Sequence, residues 1–155
     1  MTFATLSRSM ILLNTIGFAS SALADVIVFT NDPGGAWSCL SGDGSDGDPL
    51  VVRPCNANTG QHWRLRSDGA LQLVGTSECA NIPNGNTANG TGLILWTCDP
   101  LGWNAMWQHS GNELINPTSG KCIDIPNGNT SYGTQVILWG CQASWNQLWN
   151  FHYVP

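Results

Sequence analysis

Asp124 stands two positions after Cys122, and Trp139 stands two positions before Cys141. The middle of the chain repeats the pattern with Asn81 after Cys79 and Trp96 before Cys98. A polar acceptor beside an indole is the equipment for holding a pyranose: the indole covers the apolar C–H face, and the carboxylate or amide accepts from the rim of hydroxyls. A core tryptophan and a turn-forming aspartate explain one such pair equally well. Finding the pair twice favours a binding site.

These residues need elements that bring them together, and an internal repeat supplies the clue. The segment ECANIPNGNTANGTGLILWTC, from Glu78, is nearly restated as KCIDIPNGNTSYGTQVILWGC, from Lys121, a period of about 43 residues. A more divergent first copy runs from Cys39 to Cys55. Six cysteines admit many pairings, but one pair inside each copy follows from the repeat: Cys39 with Cys55, Cys79 with Cys98 and Cys122 with Cys141. Each copy then ends in a tryptophan, Trp63, Trp107 or Trp149.

Short apolar runs divided by Gly, Asn and Pro, without helical periodicity, read as β-strands. About 43 residues suits four short strands, and three units are too few for a propeller. The fold class is therefore all-β: a β-trefoil of three four-stranded repeats with pseudo-threefold symmetry. Side chains alternate along a strand, which places Ile123, Ile125, Val136 and Leu138 inside and the faces of Asp124 and Trp139 outside. If paired cysteines face each other directly, Asp124 faces Trp139, Asn81 faces Trp96 and Ser41 faces Arg53.

Composition narrows the partners. The 155 residues carry 10 acidic and 5 basic side chains, a formal net charge of −5, and no basic patch dense enough to neutralise phosphates, so nucleic acid is set aside. Arg8 followed by an apolar run to Ala19 and by Ala22-Leu23-Ala24 reads as a signal peptide over residues 1–24, cleaved before Asp25. That run contains Asn14 and is too short to span a bilayer. A secreted domain over residues 25–155 follows, with repeats at about 26–66, 67–110 and 111–155.

With these residues in view, the chain resembles the ricin B-type lectins, over about residues 26 to 155. Their Q-x-W motif is matched by Gln61-His62-Trp63 and Gln147-Leu148-Trp149, with Ala105-Met106-Trp107 as an altered middle copy. The resemblance implies sugar contact by an Asp two residues after the first Cys, an aromatic two before the second, and an Asn-Gln pair opening Q-x-W. Copy three carries all four as Asp124, Trp139, Asn146 and Gln147, although Ile137 stands where the family often has Gln. Copy two carries Asn81, Trp96 and Asn104, with Ala105 in place of Gln. Copy one has Ser41, Arg53 and Gly60, and is expected to be inactive. The Q-x-W tryptophans belong to the core by the same resemblance, while Trp103 and Trp145 are candidates to flank the pockets.

Catalysis is not expected. A glycosidase needs two carboxylates about 5 to 9.5 Å apart, and copy three supplies Asp124, with Glu78, Asp99 and Glu113 elsewhere in the repeats. His62, His109 and His152 have no nucleophile to serve, since all six cysteines are paired. Asp43, Asp46 and Asp48 suggest a calcium loop but lack its closing glutamate, and a solvated turn explains them. No metal or cofactor is expected. Sequons at Asn89 and Asn129 allow glycans, and one at Asn129 is expected to shade copy three. The expected activity is reversible binding of galactose-type or related glycans, as a monomer or weak homo-oligomer. The competing class is a non-lectin trefoil acting as a protein-binding inhibitor or defence scaffold.

Overall fold

The computed structural model describes residues 24–154. The segment expected to be a signal peptide lies outside them, apart from its last residue. Among the described residues, fourteen strands form three lobes. Lobe one holds β1 (Val26–Asn31), β2 (Trp37–Ser41), β3 (Val51–Pro54) and β4 (His62–Leu65). Lobe two holds β5 (Leu71–Leu73), β6 (Glu78–Asn81), β7 (Thr91–Gly92), β8 (Ile94–Thr97) and β9 (Gln108–Ser110). Lobe three holds β10 (Glu113–Asn116), β11 (Lys121–Asp124), β12 (Thr134–Gln135), β13 (Ile137–Gly140) and β14 (Asn150–Tyr153).

A closed barrel follows from six of these strands. Strand β1 pairs with both β4 and β14, β4 with β5, and β9 with β10, all antiparallel. Isolated bridges at Ala70↔Met106 and Glu113↔Leu148 complete the ring. Hairpins β2–β3, β6–β8 and β11–β13, one per lobe, cap it. Closure removes free edges, so the exposed backbone groups of one lobe are satisfied by the next.

The core is read from the same repeat. Trp63, Trp107 and Trp149 are buried, and each indole N–H donates to a main-chain carbonyl of its own lobe, at Leu40, Ala80 and Ile123 (3.0, 2.9 and 3.0 Å). An indole inside a protein needs that partner, because leaving the N–H dry costs about 1–3 kcal/mol. Ile123, Ile125, Val136 and Leu138 are buried against them, as alternation along the strands requires.

The three disulfides join Cys39–Cys55, Cys79–Cys98 and Cys122–Cys141. Their register differs from direct opposition. Cys122 faces Trp139, and Asp124 faces Ile137; Cys79 faces Trp96, and Asn81 faces Ile94; Cys39 faces Arg53, and Ser41 faces Val51. Each pairing has slipped by two residues from the one expected. Cys141 lies just past the end of β13, so the bridge closes the hairpin diagonally. A two-residue slip keeps every side chain on its face, which is why the inward and outward assignments survive it.

Candidate functional site

In lobe three, Asp124 closes β11 and the chain then turns at Pro126–Gly128. A second short turn, Trp145–Gln147, returns Asn146 and Gln147 to it. The Asn146 side-chain amide donates to Asp124 Oδ2 at 3.0 Å, and that of Gln147 donates to the same oxygen at 2.7 Å. Asn146 also donates to the Ile125 carbonyl, and its own Oδ1 accepts from the Ser144 hydroxyl. Both amides fall on Oδ2, leaving Oδ1 without a hydrogen-bond partner among the described residues. Trp139, on the adjacent strand, keeps 36% of its surface exposed.

The outward face of Asp124 is less open than expected: only 5% of the residue is exposed. Burial pushes its carboxyl above the usual aspartate range, while the amides of Gln147 and Asn146 pull the other way. A desolvated carboxylate is a stronger acceptor for a ligand hydroxyl than a hydrated one.

Gln147 requires a correction. It has no accessible surface, so it cannot touch a ligand; it ties three segments together. Its amide nitrogen donates to Asp124 and to the Gly140 carbonyl, and its oxygen accepts from the Gln142 amide. Gln61 does the same in lobe one, donating to the Ser41 hydroxyl and the Pro54 carbonyl and accepting from the Asn56 amide. The glutamine of Q-x-W positions the acceptor and braces the hairpin.

Lobe two repeats the arrangement with an amide as acceptor. Asn104 donates to Asn81 Oδ1 at 2.9 Å, and Trp96 is 49% exposed. A cleft of about 360 Å³ opens between Asn81, Pro83, Asn84, Ile94, Trp96 and Asn104. On its other side a hollow of about 280 Å³ reaches Ala105, on the side where lobe three places Gln147. Lobe one has neither acceptor nor platform at the matching positions: Ser41 is buried, and Arg53 pairs with Asp43.

Four contributors were not singled out from the sequence. Asn84 lines the lobe-two cleft from a left-handed backbone (φ 52°), and Asn127 adopts the same conformation in lobe three (φ 53°). The next glycine in each turn lies against a tryptophan: a Cβ on Gly85 would stand 2.9 Å from the Trp103 ring, and one on Gly128 2.6 Å from the Trp145 ring. Trp103 and Trp145 thus floor the turns. The twice-written PNGN, each followed by a Trp-Asn, was the available signal.

The acidic residues of the loop that suggests a calcium site are engaged by turns and strands. Asp46 accepts from the Thr97 amide and hydroxyl, and Asp48 from the Ser45 amide. Glu113 lies with Cys122 and Cys141, but a disulfide consumes both sulfurs as metal ligands. The loop following Asn129 runs to lobe one, where β12 pairs with β3. The sequon whose loop lies against Trp139 is that of Asn89, since Thr91 and Gly92 pair with Leu138 and Ile137.

The fold and its threefold set of hairpin sites define a β-trefoil. Its residues 31–149 match the ricin-type beta-trefoil lectin domain, and the chain belongs to that family of carbohydrate-binding lectin domains. Nigrin b of Sambucus nigra is 32% identical over 82 residues, a stretch covering 52% of this chain and 14% of nigrin b. The chain therefore spans only a small part of that relative. Among solved structures, the designed threefold-symmetric protein ThreeFoil is 24% identical over 82% of this chain and 96% of its own, with a TM-score of 0.71. The C-half of an earthworm R-type lectin, solved with GalNAc, is 14% identical over 84% of this chain and 99% of its own, with a TM-score of 0.69. At these identities the structural likeness speaks to the fold alone. Among the described residues, no helix is long and apolar enough to cross a membrane.

Proposed function

We propose that the protein is a secreted, non-catalytic lectin that binds galactose-type or related glycans, chiefly through lobe three and with lobe two assisting. The observation that carries this reading is the desolvated Asp124 carboxylate, clamped on one oxygen by Asn146 and Gln147 and leaving the other oxygen for a ligand beside exposed Trp139. In lobe two, Asn81, Asn104 and Trp96 offer a weaker version, because an amide oxygen accepts less strongly than a carboxylate. The sugar class follows the resemblance to the ricin B-type lectins, and GalNAc, the sugar in the earthworm lectin structure of the same fold, is a first ligand to test. Three disulfides support an oxidising compartment, in line with cleavage after Ala24 and a mature domain over residues 25–155.

The test is a glycan array followed by calorimetry on wild type, Asp124→Ala and Trp139→Ala. Each substitution is expected to weaken lobe-three binding by roughly tenfold or more, about 1.4 kcal/mol, with circular dichroism unchanged. Undiminished binding in both variants would remove lobe three from the site, and a folded wild type that binds no glycan would end the lectin reading.

A further inference from the structure

Every lobe borders the hairpin site of the next. Gly47, Gly90 and Gly133 have positive φ (87°, 88° and 79°), and their amides donate to the carbonyls of Leu95, Leu138 and Val52 at 2.8, 2.9 and 2.9 Å. Each acceptor is followed immediately by the platform position of the neighbouring lobe: Trp96, Trp139 and Arg53. The residue before each glycine is thereby carried to that platform. Asp46 reaches Thr97 beside Trp96; the Asn89 loop meets Trp139, where a Cβ on Gly90 would lie 4.0 Å from the ring; Tyr132 meets Arg53.

This third junction changes what lobe one can do. The lobe contains a cleft of about 800 Å³, lined by Asp43, Arg53, Asn58, Thr59 and Tyr132 among others. Tyr132 is 74% exposed, and the Arg53 guanidinium carbon sits 5.4 Å from its ring centroid. Both terminal nitrogens of Arg53 donate to the Asp43 carboxylate, at 2.6 and 2.8 Å, which fixes that carboxylate at the cleft and cancels the positive charge. An aromatic ring, a fixed carboxylate and flanking hydroxyl and amide groups are the parts a pyranose requires. Here none comes from the two hairpin positions that carry them in the other lobes.

We propose that lobe one is a third glycan-binding cleft, taking a neutral pyranose, in which Tyr132 delivered from lobe three supplies the aromatic wall and Asp43 the acceptor. Neutrality follows from the Arg53–Asp43 pair, which leaves no spare cation to select an acidic sugar. Arg53 also holds the Asp43 carboxyl below the usual aspartate range, so the acceptor stays ionised wherever the fold is tested.

The proposal rests on the lectin reading, and the experiment separates the two. Trp96→Ala and Trp139→Ala are combined to silence lobes two and three, and the variant is applied to an array of neutral and acidic glycans beside wild type. Residual binding of a neutral glycan is expected. Adding Tyr132→Ala or Asp43→Ala should weaken it at least about tenfold, whereas Tyr132→Phe should retain it. Both side chains are exposed, and matching melting temperatures verify the fold. A double variant that binds nothing while wild type binds overturns the third cleft and leaves the lectin reading intact. Residual binding indifferent to Tyr132 and Asp43, or confined to acidic glycans, overturns it as well. A wild type that binds no glycan at all brings down both readings.

Discussion

Asp124 is pulled two ways by its surroundings. Burial raises its folded-state pKa above the ordinary aspartate value of about 3.9. The folded state therefore holds a proton more tightly than the unfolded chain does. Ionised Asp124 costs stability at neutral pH, and that cost is relieved as pH falls through the raised pKa. Ligand binding runs the opposite way, because the acceptor is the carboxylate. We expect lobe-three affinity to decline on acidification before ordinary carboxylates titrate, while lobe two, built on Asn81, stays level. Calorimetric titrations from pH 7 to pH 4 on Trp96→Ala and Trp139→Ala separate the two responses. Asp124→Asn should bind more weakly at pH 7 yet melt no lower than wild type. A melting point several degrees lower would show that the charge supports the fold.

At the scale of the element, the turn after β6 or β11 decides where the next asparagine points. Gly128 combines a left-handed backbone (φ 64°) with a ring against its Cα hydrogens, so Gly128→Ala meets both a conformational and a steric penalty. Gly111 has a similar φ of 58° with open space around it. Gly111→Ala should cost about 1–2 kcal/mol from the backbone alone. Gly128→Ala should exceed it by about 1–3 kcal/mol for the overpacking, read from urea unfolding midpoints. Equal costs would mean that the Trp145 ring yields freely and does not set the turn.

The whole molecule presents its sites around one axis, each on a different side of a rigid barrel. A single shallow sugar site holds weakly, and linkage raises avidity by about 10²–10⁴ when two sites engage one surface. On a densely glycosylated sensor surface, wild type is therefore expected to dissociate at least about 10²-fold more slowly than the variant that combines Trp96→Ala with Trp139→Ala, which leaves at most one working lobe. At low glycan density the two should converge towards the monovalent difference. Identical ratios at both densities would mean that only one lobe engages at a time.

Much of this architecture was legible because it is local. The repeat identified the cysteine partners, and the period-two alternation around Ile123 and Leu138 separated core from outer face without knowledge of the neighbours. The same periodicity hid the register: Cys122 opposite Cys141 and Cys122 opposite Trp139 place every side chain on the same face, so no pattern of polarity distinguishes them. The burial of Gln147 was hidden for a related reason. Resemblance to the lectin family made Gln147 a ligand contact, and only the returning turn shows that its hydrogen bonds are already used. Tyr132 is the clearest case of tertiary decision. Within its own repeat it is an exposed loop residue, and it reaches Arg53 because β12 of lobe three pairs with β3 in the capping hairpin of lobe one, across a long separation in sequence. Residue order determined what each lobe contains, and strand pairing between the caps of neighbouring lobes determined which lobe each loop serves.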